Sequence, residues 1–94
     1  MSLGVHPERI VLYQNYPNPF NPTTNIQFTI VNRQLTIVTV FDVLGREVAM
    51  VKNEVKGPGT YTVEFDGSNL ASGVYFYRLR ASDFIQTNRL VLLK

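Results

Sequence analysis

Few side chains in this 94-residue chain could act on a substrate, and they are scattered. The single histidine, His6, stands beside Pro7 with Glu8 as its near carboxylate. A general base or a metal ligand needs an oriented partner, so His6 reads as a solvated tail residue. Asp42, Asp66 and Asp83 each fall in a turn-forming stretch, where a carboxylate accepts a backbone N–H two residues on. Asp66-Gly67-Ser68-Asn69 offers too few oxygens at close spacing for calcium. Gly57-Pro58-Gly59 and the 67–73 segment lack the Lys-Ser/Thr pair and following helix of a phosphate loop. Tyr75-Phe76-Tyr77 with Arg78 and Arg80 could stack a base or a sugar, but alternate aromatics on a strand ordinarily fill a core. The absence of cysteine removes disulfides, Cys-ligated zinc and thiol catalysis. No acid, base and nucleophile can be assembled, so no catalysis, cofactor or metal is expected.

The elements that must position these residues are strands. Twelve Val, five Ile and eight Thr, joined by eleven aromatics, suit pleated and half-buried surfaces. A domain of this size buries only about 60–65% of its unfolded surface, so most apolar residues are needed in one core. A net charge of +2 is too small for a nucleic-acid footprint or a polybasic membrane anchor. No stretch approaches the roughly 18 apolar residues of a membrane-spanning helix, and no membrane insertion is expected. Met1-Ser2-Leu3-Gly4 reads as an expression leader, 5–11 as a linker remnant of a parent protein, and 12–94 as one domain.

Along that domain, period-2 segments recur at the spacing of an all-β, immunoglobulin-like antiparallel β-sandwich of about seven strands. Ile26, Phe28 and Ile30 alternate with polar residues, and the turn at 31–34 leads to the apolar run Leu35 to Val43, which together predict a hairpin. Arg46 to Val51 predicts a further strand and Lys52 to Lys56 a polar connection anchored by Val55. Tyr61, Val63 and Phe65 share one face, as do Tyr75, Tyr77 and Leu79. With Ile26, Phe28, Ile30, Val38 and Val40 they make the expected core. The last strand covers roughly Phe84 to Leu93. Three prolines in Pro17 to Pro22 forbid a central strand, and this segment is expected to pack as an ordered arm anchored by Tyr16 or Phe20. Gly59-Thr60-Tyr61 and Gly73-Val74-Tyr75 echo one another, each a glycine turn followed by a tyrosine two residues on.

One ordered series is specific enough to name a family. Gln14-Asn15-Tyr16-Pro17-Asn18-Pro19-Phe20-Asn21-Pro22-Thr23-Thr24 opens it, and Val40 to Val48, Gly59-Thr60-Tyr61, Phe65-Asp66-Gly67, Leu70 to Tyr77 and Leu90 to Lys94 continue it. The series resembles the type A C-terminal sorting domain of the type IX (Por) secretion system over about residues 12–94. The resemblance implies a small sandwich that an outer-membrane translocon reads as the address of a preceding passenger. It further implies export through the periplasm to the cell surface or medium, and a sortase-like surface peptidase that removes the domain and can couple the passenger to anionic lipopolysaccharide.

The family's motif positions carry over to Pro58, Gly59 and Tyr61, to Gly73 and Tyr75, and to the terminal Arg89, Leu90, Val91, Leu92, Leu93 and Lys94. By resemblance these are the residues of translocon recognition. Asn88-Arg89 stands where many relatives have lysine, and Phe41 where tyrosine is common. The glycines and tyrosines also have a purely structural reading, as positive-φ turns and core packing. The tail, a short apolar strand with a basic end, is the part expected to lie open to a receptor edge. A different class of function is a non-catalytic accessory sandwich, resembling fibronectin type III or the immunoglobulin-like part of flagellar hook-capping proteins, that binds carbohydrate or protein.

Overall fold

Alternation at period two becomes seven strands. The computed structural model describes residues 9–94, so the 1–4 leader, His6 and 5–8 of the linker lie outside the described residues. In chain order the strands are β1 (Val11–Leu12), β2 (Thr23–Ile30), β3 (Gln34–Phe41), β4 (Glu47–Lys56), β5 (Gly59–Asp66), β6 (Gly73–Ala81) and β7 (Phe84–Leu92). They form two antiparallel sheets, β1-β2-β5 and β4-β3-β6-β7, and no helix occurs among the described residues. This is the immunoglobulin-type sandwich with its fourth strand moved to the sheet of the third, sixth and seventh. Val11, assigned to the linker on sequence grounds, pairs with Thr29 in β1.

The two inner faces meet through the expected residues. Ile26, Phe28, Ile30, Val38, Val40, Tyr77 and Leu79 are wholly buried, Phe65 and Tyr75 nearly so, and Tyr61 and Val63 pack against them at the margin. Each fully buried side chain of this size contributes about 1.5–3 kcal/mol. The core also takes in Leu12, Phe20, Ala81, Leu90 and Leu92.

Two connections differ from expectation. Ile26–Ile30 and Leu35–Val43 do not form a hairpin: β2 bonds to β1 and β5, while β3 bonds to β4 and β6, so the 31–33 link carries the chain from one sheet to the other. Both segments carry a strong apolar face, and crossing sets those faces against each other, which removes both from water. Lys52 to Lys56 is not a connection either. β4 runs on through it, and Val55 is half exposed opposite Leu35. Register shifts opposite Val38/Thr39 and Val40/Phe41 leave Val51 and Val48 as extra residues on β4. Each bulge resets the alternation, which makes the strand read as two pieces.

The registers give the sandwich two poles. Gly59 lies opposite Ile30 at one, close in sequence to the 57–58 turn, while Asp66 lies opposite Thr23 at the other. Gly67 packs on Leu92 and Phe20, so Gly73, paired with Leu92, shares that second pole. Ile10, entering β1 opposite the end of β2, belongs to the first pole beside Val31 and Phe84.

Candidate functional site

The terminal strand and the proline-rich segment form a single unit. Tyr16 pairs with Asn25 of β2, the two residues exchanging N–H···O bonds of 3.0 and 2.9 Å. Four residues on, Phe20 makes a parallel bridge to Leu92, donating its N–H to Val91 O (2.9 Å) and accepting from Leu93 N (3.0 Å). The arm thereby stitches one sheet to the edge of the other. Its polar side chains extend the grip: Gln14 Nε2 donates to Arg89 O (2.8 Å), and Asn18 Oδ1 accepts from Val91 N (3.0 Å). Phe20, 2% exposed, is the anchor, and it meets the Phe65 ring edge-on at 6.0 Å; Tyr16 stays 79% exposed.

The tail is therefore not an open edge. The arm bonds its outer backbone groups from Arg89 O through Val91 N and O to Leu93 N, and Leu90 and Leu92 are core residues. The reason lies in the strand's alternation, which turns Leu90 and Leu92 inward with the inner face of β6 and leaves Arg89, Leu93 and Lys94 exposed. Lys94 ends the chain on the 67–72 loop, its N–H donating to Ser72 Oγ (2.9 Å) and its Nζ to Ser68 O (2.5 Å). In the same loop the Ser68 hydroxyl and N–H both bond Asp66 Oδ1. Those bonds, with the Lys94 charge, hold the Asp66 carboxyl below its usual range. Gly67 sits at a close approach: a Cβ there would stand 3.1 Å from Leu92 and 3.3 Å from Phe20, so those side chains would have to give by a few tenths of an ångström.

A polar cluster that the sequence reading missed locks the arm from beneath. The buried Tyr77 hydroxyl donates to Tyr13 O (2.7 Å) and accepts from Asn15 N (2.8 Å) and Asn88 Nδ2 (3.2 Å). The buried Asn15 side chain donates to Thr24 Oγ1 at 3.0 Å. Burial pushes the Tyr77 phenol above its ordinary value against the opposing effect of those donors. The signal available in sequence was the repeated placing of Gln and Asn among prolines, where polar side chains must replace the amide donors that proline lacks.

The two Gly-x-Tyr motifs turn out to be one device used twice, at opposite poles. Tyr61 OH donates to Gly57 O (2.8 Å) and Tyr75 OH to Ala71 O (2.7 Å), each reaching back four residues across the turn. Between them Gly59 (φ 149°) and Gly73 (φ 156°) take conformations that an L side chain rarely adopts. The rings then pack inward, Tyr61 against Phe28 at 5.7 Å with Lys56 Nζ above its face. Pro58 is exposed at the tip of its turn. So the structure brings Gly73, Tyr75 and residues 89–94 together with the arm, and sets Pro58, Gly59 and Tyr61 far from them. Among the described residues no cluster of His, Asp or Glu could hold a metal ion.

The family model for the secretion system C-terminal sorting domain matches residues 14–93. The chain belongs to this family. No curated protein and no solved structure matches it. The match starts at Gln14, the first residue of the arm to grip the tail, and ends at Leu93, the last residue it holds. In this sorting domain the first and last motifs of the family are thus one structural unit, a clamp and the strand it clamps. As a type IX secretion signal, the domain directs export out of the cell.

Proposed function

We propose that this domain is read as a folded address by the type IX outer-membrane translocon, which passes the preceding passenger from the periplasm to the cell surface. A sortase-like surface peptidase then removes the domain, and the passenger is released or attached to the surface. The observation that carries this reading is the clamp. It fixes the terminal strand in a defined pose, with Arg89, Leu93 and Lys94 displayed at the pole away from Ile10, where a passenger would enter. A rigid display lowers the ordering cost that a flexible peptide signal would meet on binding. The motif tyrosines and glycines support the same end indirectly, by fixing turns at both poles.

The test is a reporter carrying an export signal, fused ahead of residues 5–94 and expressed in a type IX-competent host. Reporter at the cell surface or in the medium, shortened by the mass of the domain, is the expected result. Full-length reporter confined to the periplasm would overturn the reading, and an uncut fusion at the surface would overturn the cleavage step alone.

A further inference from the structure

The outward faces of the two sheets differ in kind. Leu35, Met50, Val55, Val74 and Ile85 are the exposed large apolar residues that lie on strands among those described, and all five belong to β3, β4, β6 and β7. The outward residues of β2 and β5 are instead Asn25, Gln27, Thr60, Thr62 and Glu64. On the apolar face Arg80 stands between Ile37 and Ile85 along one row of the ladder, and Phe76 between Phe41 and Arg89 along another. The Arg78 guanidinium lies 4.6 Å above the Phe41 ring and lines, with Phe41, Phe76 and Thr87, a depression of about 350 Å³ whose rim includes Asp42, itself paired with Arg46 at 2.8 Å. None of the three arginines forms a salt bridge among the described residues; of the carboxylates nearby, Glu47 lies in register on the edge strand and Asp42, just past β3, is taken up by Arg46.

We propose that this outer face of β4-β3-β6-β7 docks a protein of the export machinery through an acidic surface interleaved with apolar side chains; this rests on the sorting role proposed above. Three uncompensated arginines select carboxylates, and the aliphatic rows between them match apolar protein atoms, not the hydroxyls of a polysaccharide. Arginine and aromatic residues are also the types that anchor protein interfaces. Arg89 enters this picture as part of a surface four strands wide instead of as a cap on a free tail.

The test uses the same reporter fusion with Arg80→Gln, Arg89→Gln and Ile85→Ser combined, all three side chains being exposed. A control carries Gln27→Glu and Arg33→Gln, which makes the same net-charge change away from the face. The face variant should lower surface reporter at least about tenfold, while the control behaves as the parent. Melting of the isolated domains is followed in parallel, and if the triple variant melts early, Arg80→Gln with Arg89→Gln serves in its place. Export of the folded face variant at the parent level would overturn the docking face and leave the sorting role standing; failure of the parent fusion would overturn both. Loss of sedimentation with phosphatidylcholine–phosphatidylglycerol vesicles, with export unchanged, would assign the face to lipid and overturn the proposal.

Discussion

Tyr77 makes more of its hydroxyl than either motif tyrosine. Tyr75→Phe frees the carbonyl of exposed Ala71 to water and should cost about 0.5–1.5 kcal/mol. Tyr77→Phe leaves the amide of buried Asn15 without its acceptor and should cost about 1–3 kcal/mol, read from thermal or urea unfolding. Its pH dependence carries a sign. Burial holds the folded-state phenol pKa above the ordinary 10.0, so the folded domain keeps that proton more tightly than the unfolded chain. The stability linked to it is complete below about pH 10 and is lost as pH rises beyond that. The gap between parent and Tyr77→Phe should therefore narrow above pH 10; a constant gap would show that Tyr77 does not titrate differently on folding. At Gly67 the expected cost has another origin. Gly67→Ala pushes a methyl against Leu92 and Phe20, and a loss of about 1–3 kcal/mol from overpacking should appear in the same measurement.

At the scale of elements, the arm behaves as an eighth structural piece without being a strand. Phe20→Ala removes a wholly enclosed ring and should cost about 3–5 kcal/mol. It should also open the segment from Asn15 to Asn21 to protease, which the parent is expected to resist; rapid cleavage of the parent there would mean that the clamp is loose. The sequence makes much of this legible. Period-2 alternation marks β2, β5 and β6 because their residues face a core on one side only, and the proline density of the arm excludes a central strand. What it hides has physical causes. The bulges at Val48 and Val51 break the alternation of β4, and the partner of β2 depends on which sheet the 31–33 link enters, a choice made by long-range packing. Leu90 and Leu92 read equally well as an exposed recognition strand or as core, because alternation gives the face of a residue but not the cover laid over it.

For the whole molecule, the decisive question is whether the last residues matter as an address or as a part of the fold, and the geometry separates the two. Deleting Leu90 to Lys94 takes two fully buried leucines and the backbone partners of Phe20 and Asn18. Buried leucines cost about 2–5 kcal/mol each when cut back to alanine, against a total stability of about 5–15 kcal/mol for a domain of this kind. The deletion should therefore unfold the domain, so a loss of export on its own says nothing about recognition. Arg89 and Lys94 are different, because both are exposed and Lys94 contributes only surface hydrogen bonds. Arg89→Gln with Lys94→Gln should melt close to the parent. If recognition uses these charges, that variant stays folded yet leaves its reporter in the periplasm, and in a binding measurement its deficit against the parent is largest at low ionic strength and shrinks as salt screens the parent's charges. If the variant melts like the parent and exports normally, the basic residues are not read. The terminal strand then acts through Leu90 and Leu92, by holding the pole in the shape that the rest of the surface presents.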